Sequence, residues 1–130
     1  MANDKLDEIL KQGIYGKPEI RPEERKLFLT TIAERIYLYL THSQVRHQGF
    51  YPEAEKIMKE KKNAHLYLNG RLSYQFYSNY IQLANKHSIP FTIINDGHDT
   101  PVGIVLAADH AINQESNMFI DDELYQDDMK

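Results

Sequence analysis

The sequence predicts an α/β fold: a single-domain α/β/α sandwich on a mostly parallel or mixed sheet of about four strands. Two observations point there. Strand-like segments alternate with helical ones of about ten to fifteen residues, which is the rhythm of right-handed βαβ crossovers. The runs FTIIND from Phe91 and VGIVLAAD from Val102 are almost wholly apolar, as strands covered on both faces are.

The elements follow in order. Leu6, Ile9 and Leu10 recur at helical spacing, so residues 1–13 read as a leading amphipathic helix that stops at Gly13. Pro18 and Pro22 bracket the polar stretch after it. Arg35–Thr41 alternates Ile36, Leu38 and Leu40 with Tyr37, Tyr39 and Thr41, the period of a strand. Pro52 opens a helix to Lys62, with Glu53 and Glu55 early and Lys59, Lys61 and Lys62 late, matching the helix dipole. Its inner face is Ala54, Ile57 and Met58. His65–Leu68 is a short strand closed by Asn69-Gly70. Ser73 is placed to cap a helix running to His87, whose apolar arc is wider than one sheet face requires. A neighbouring helix accounts for that width, and the alternative is a homo-oligomer contact through Tyr74, Tyr77 and Tyr80.

Charge divides the chain unevenly around its net of −4. Residues 17–62 carry about +3 and residues 109–130 about −6. The domain is therefore assigned to residues 1–119, and residues 120–130 read as an acidic, solvated, disordered tail. Leu, Ile, Val and Phe make up about 25% of the chain, enough for a packed core. No apolar run approaches the ~18 residues of a membrane span, and the chain has no cysteine. A cytoplasmic protein that does not engage a membrane is the expectation.

Parallel strands place their exit loops at one end of the sheet, where open α/β sheets bind ligands. The strand ending at Thr41 exits into His42, Ser43, Gln44, Arg46 and His47; that ending at Leu68 into Asn69, Gly70 and Arg71; that ending at Ile94 into Asn95, Asp96, Gly97 and His98. If the three strands are neighbours, these loops converge. The candidate binding residues are Arg46, His47, Asn69, Gly70, Arg71, Asn95, Asp96, Gly97 and His98. Arg46 and Arg71 are placed to hold a small anionic group, with Asn69 and His98 orienting it. RNA is the alternative partner, with Arg46, His47 and Arg71 on phosphates and Phe50 or Tyr51 stacking on a base. Against RNA stands an isoelectric point near 5.8. A weaker alternative is an enzyme acting through Asp96 and His98.

Other chemistries lack their motifs. There is no HExxH or EF-hand loop for a metal, no GxxxxGK[ST] or GxGxxG for a nucleotide cofactor, and no GxSxG for a nucleophile. No metal, cofactor or catalytic residue is therefore assigned, and the balance leans away from an enzyme.

The stretches PEERKLFLTTIAERIYLYLT, HLYLNG, PFTIIND and VGIVLAADHAI, with the helix from Pro52, resemble the YueI-like family of bacterial proteins over nearly the whole length. The resemblance implies an architecture similar to the Bacillus chorismate mutase-like group, which includes L30e-like RNA binders, and an L30e-like order of elements. L30e-like proteins carry Gly-x-Asn-Glu at the start of the helix after the first strand. Here that place reads Gln48-Gly49-Phe50-Tyr51-Pro52-Glu53, and Pro52 removes a backbone donor from it. The arginine-lined mutase site has no counterpart, so neither activity is carried over.

Overall fold

The computed structural model describes residues 22–95, 99–112 and 118–129. Helix α1 (Pro22–Leu27) and a 3-10 turn (Ala33–Arg35) lead into β1 (Ile36–Thr41), followed by α2 (His42–Arg46) and α3 (Pro52–Glu60). Then come β2 (His65–Asn69), α4 (Tyr74–Lys86), β3 (Phe91–Ile94), β4 (Val102–Ala107) and α5 (Glu123–Met129). The leading helix expected over 1–13 lies outside the described residues.

The sheet is mixed, in the order β1-β4-β2-β3. β2 and β3 pair in parallel, with Leu66 beside Phe91 and Leu68 beside Ile93. β4 runs antiparallel to both β1 and β2. Hence β1, β2 and β3 share one direction, but β1 and β2 are not neighbours, because the returning β4 inserts between them. The loop after β3 is short, so the chain reverses into an antiparallel strand, whereas a further parallel one would need a crossover of a dozen or more residues.

β4 in the middle is buried at every position. β3 at the edge is not: Phe91 is 37% exposed and Ile93 and Ile94 are only half-buried. That corrects the expectation of a strand covered on both faces. An apolar run reports composition, while edge or centre is settled by what pairs on each side.

One core cluster joins the sheet to α3 and α4. Leu40, Leu66, Leu68, Ile104 and Leu106 meet Ala54, Met58, Tyr80 and Ala84 there. The second lies on the opposite face, where Phe28, Leu29, Ile36, Tyr39, Val102 and Val105 meet Tyr125 and Met129. Ile36 falls on the opposite face from Leu38 and Leu40 because the β1–β4 register shifts between Ile36 and Leu38. A shift of one residue sends a side chain to the other face.

Helix α4 begins after Ser73, whose side chain makes no capping bond; its carbonyl accepts from the Phe76 N–H at 2.9 Å instead. It ends at Lys86, with Ser88 in the left-handed region at φ 58° and Ile89 N–H returning to Ala84 O at 2.7 Å. His87 and Lys86 both reach Glu55 of α3, at 2.8 and 3.3 Å. Tyr77 and Tyr80 are core residues at 6% and 0% exposure, so the wide apolar arc is used in packing within the chain, and Tyr74 is the exposed one of the three.

Residues 123–129, expected as part of a solvated tail, form α5. Tyr125 and Met129, four apart, share one face of the helix and are buried at 9% and 2% exposure. The Tyr125 ring stacks on Phe119 at 4.7 Å, and its hydroxyl lies 2.8 Å from that of Tyr39. The acidic count hid a two-residue apolar anchor.

Candidate functional site

The carboxyl ends of β1, β2 and β3 and the start of β4 meet at one end of the sheet. Their hub is Asn69, 2% exposed. Its Oδ1 accepts from the Arg71 N–H at 2.9 Å, an Asx turn that the sequence Asn-Gly-Arg favours. Its Nδ2 donates to Val102 O on β4 at 3.0 Å and lies 3.2 Å from His42 Nε2. The two backbone partners fix the orientation of the amide, since an N–H donates to one end and a carbonyl accepts from the other. His42 Nε2 must then be an acceptor, and the proton of the neutral ring resides on Nδ1.

The electrostatics agree. Burial holds His42 below the ordinary histidine range; Arg46 and Arg71 press in the same direction, while Asp128 and Asp99 oppose them. Protonation would also set a ring N–H against the Asn69 amide donor. His42 is thus a neutral side chain ringed by two cations and two anions.

Around this hub, Arg46 ends α2 and is exposed, and His47 follows it, also exposed, with its ring 6.4 Å from Tyr51. Arg71 lies 3.7 Å from Asp99, with side chains 55% and 94% exposed. A pair so loose and wet is worth little, which leaves the guanidinium available. Gly70 is required by close approach: a Cβ there would stand 2.9 Å from Ile94 O and closer still to the Asn95 side chain. Gly70 N–H donates to Ile94 O at 2.9 Å. The neighbouring β1 and β2 on which loop convergence is premised are not found; His42 at the exit of β1 nevertheless reaches Asn69 at the exit of β2, because β4 begins at this same end and bridges them. Asp96, Gly97 and His98 lie outside the described residues.

The sequence reading omitted two participants from its candidate set. His42 carried the same signal as Asn69, a polar residue directly after a strand. Asp128 carried none: it arrives from α5, 85 residues beyond Ser43, and accepts from both the Ser43 N–H and Oγ at 2.7 Å. Gln44, fully buried, accepts from the Thr41 N–H at 3.0 Å and donates to Ile120 O at 2.8 Å and Asp122 at 3.0 Å. Tyr51 donates to Asp122 at 2.6 Å. Burial, reinforced by Asp122, pushes the Tyr51 hydroxyl far above its usual range; burial likewise pushes Tyr80, which receives the Tyr51 N–H, up to about 12. Neither tyrosine is available for proton transfer near neutrality.

Elsewhere, a groove of about 430 Å³ lies between β1, α3 and residues 119–120, lined by Tyr37, Ile57, Lys56, Glu60 and Phe119. None of the predicted site residues lines it. Among the described residues, no group of three or more His, Asp or Glu could hold a metal, and no helix is long and apolar enough to cross a membrane.

Comparison with known proteins agrees with the YueI-like resemblance. Residues 3–118 match a family described as "Protein of unknown function (DUF1694)". The "Uncharacterized protein YueI" of Bacillus subtilis (strain 168) is 47% identical over 126 residues, covering 96% of this chain and 95% of that protein. The crystal structure of the YueI protein from Bacillus subtilis superposes with a TM-score of 0.84 at 45% identity, over 98% of this chain and 99% of that one. None of these descriptions names an activity, ligand or partner.

Proposed function

We propose that this chain, which belongs to the DUF1694 family, is a non-enzymatic binding domain that takes a small anionic ligand at the loop end of its sheet. Arg46 and Arg71 supply the charge, and Asn69 holds His42 in its neutral form beneath them. The observation that carries the reading is the Asn69 hub. A 2%-exposed amide joins the exits of β1 and β2 to the start of β4 and fixes the backbone beside Arg71 and the His42 ring. Preorganisation of that kind reduces the ordering cost of binding. The absence of cysteine suits a cytoplasmic setting.

RNA is less well served by the same end. Asp99 and Asp128 lie among the cations, and the isoelectric point near 5.8 is far from a basic footprint. The test is thermal-shift and calorimetric titration at low salt with inorganic phosphate, pyrophosphate, nucleoside monophosphates and single-stranded RNA. Stabilisation by a small anion that disappears in both Arg46→Ala and Arg71→Ala is the expected result. No anion binding, or binding that survives both substitutions, overturns the proposal. Salt-steep RNA retention without small-anion binding would replace it with the RNA reading.

A further inference from the structure

We propose that α5 is an autoinhibitory strap whose Asp128 carboxylate antagonises the anionic ligand of Arg46 and Arg71. The inference rests on the binding reading above and adds its regulation.

The contact is specific. Both Asp128 oxygens are engaged at 2.7 Å by one residue, Ser43, which lies between His42 and Arg46 in sequence. At the neighbouring His42 ring Asp128 acts in the opposite sense to Arg46 and Arg71. A carboxylate of the protein's own is thus anchored on the residue after His42, in the helix that ends at Arg46. A carboxylate there repels an anion drawn to Arg46 and Arg71.

The strap is held by contacts that lie outside the loop-end hub. Seven residues are too few for a helix that is stable alone, so α5 exists as a helix because it is docked. Docking relies on the Tyr125 and Met129 anchor and on the bonds to Asp122 and Asp128. Asp121, Glu123 and Asp127 stay exposed and repel one another across the short helix. None of the loop-end hub's bonds, Asn69 to His42, Val102 and Arg71, passes through α5. By linkage, whatever Asp128 costs the ligand, the ligand costs the docked strap.

The experiment is calorimetric titration of pyrophosphate into the full chain and into three variants. Asp128→Asn removes the charge yet keeps an oxygen for Ser43, and should bind roughly threefold to tenfold more tightly. Ser43→Ala removes one of the two bonds without altering any charge and should tighten binding in the same direction. Asp127→Asn makes the same change in net charge one residue away and should match the unmodified chain within about twofold. Hydrogen exchange of the α5 amides in the unmodified chain should quicken as pyrophosphate is added. Equal affinity in Asp128→Asn and Asp127→Asn, with binding intact, overturns the strap while leaving the site standing. Tightening confined to Asp128→Asn while exchange stays unchanged also overturns it, since the two equilibria would not be coupled. No binding by any of the four chains removes site and strap together.

Discussion

Replacing the Asn69 amide by a carboxylate, Asn69→Asp, exchanges one heavy atom, nitrogen for oxygen, and reverses a pH dependence. The new side chain still accepts from the Arg71 N–H, but it has no donor for Val102 O or His42 Nε2. Loss of the donor to a buried carbonyl, with a negative oxygen left beside it, should cost about 1–3 kcal/mol above pH 8. In the native chain burial holds His42 below the histidine range. Between that value and the unfolded value of ~6.5, the unfolded chain binds more protons, so His42 destabilises the fold as pH falls through the window. In the variant a carboxylate faces Nε2 and raises the His42 pKa above its unfolded value. The group then contributes stability that is fully present below ~6.5 and lost as pH rises through the raised value. The gap between the two proteins should therefore narrow on acidification, by about 1.4 kcal/mol for each unit by which the substitution moves the pKa. Burial also holds His65 low, and it titrates alike in both chains, so it cancels in the difference. Urea unfolding at half-unit steps from pH 5 to 8.5, with the His42 ring followed by NMR, measures both quantities. A gap that stays constant or widens on acidification, or an unmoved His42, refutes the assignment of Nε2 as acceptor.

Two further outcomes follow from local geometry. Gly103 in β4 has no room for a methyl group: a Cβ would come within 2.9 Å of Val45 Cγ2 and 3.0 Å of Leu72 Cδ1. Gly103→Ala should lose about 1–3 kcal/mol of stability in chemical denaturation, and a loss under 0.5 kcal/mol would show that α2 can shift away freely. For Asp122, burial works to raise the pKa, but bonds from Tyr51, the Tyr125 N–H and Gln44 outweigh it and hold the carboxyl below the usual range. Its contribution is present above ~3.9 and lost as pH falls through the depressed value. Asp122→Asn should reduce hydrogen-exchange protection of the α5 amides roughly 10- to 100-fold at pH 7, a difference that shrinks near pH 2; equal protection in both chains would remove Asp122 from the docking.

Local rules carried most of the elements. The alternation in Ile36–Thr41, Pro52 at a helix start and Asn69-Gly70 after a strand were each legible because the determinant lies within a few residues of its effect. The single direction of β1, β2 and β3, and with it the common end of their loops, followed from helices of crossover length between strands. Local patterns therefore pointed to Asn69, Gly70 and Arg71 as part of one polar end.

Tertiary structure decided what depends on distant partners. That β4 enters between β1 and β2, and leaves β3 at an edge, is a choice among pairings of similar local energy, settled by which side chains pack beneath them. The role of Asn69 is of that kind too, because the acceptor that fixes its amide belongs to Val102. So is the fate of the acidic carboxyl-terminal stretch: its charges argue for solvent, and only the positions of Ser43, Gln44, Tyr51 and the aromatic face around Tyr39 turn them into a docked helix. Charge composition sums over residues, whereas docking depends on where donors and apolar surface meet each one in space.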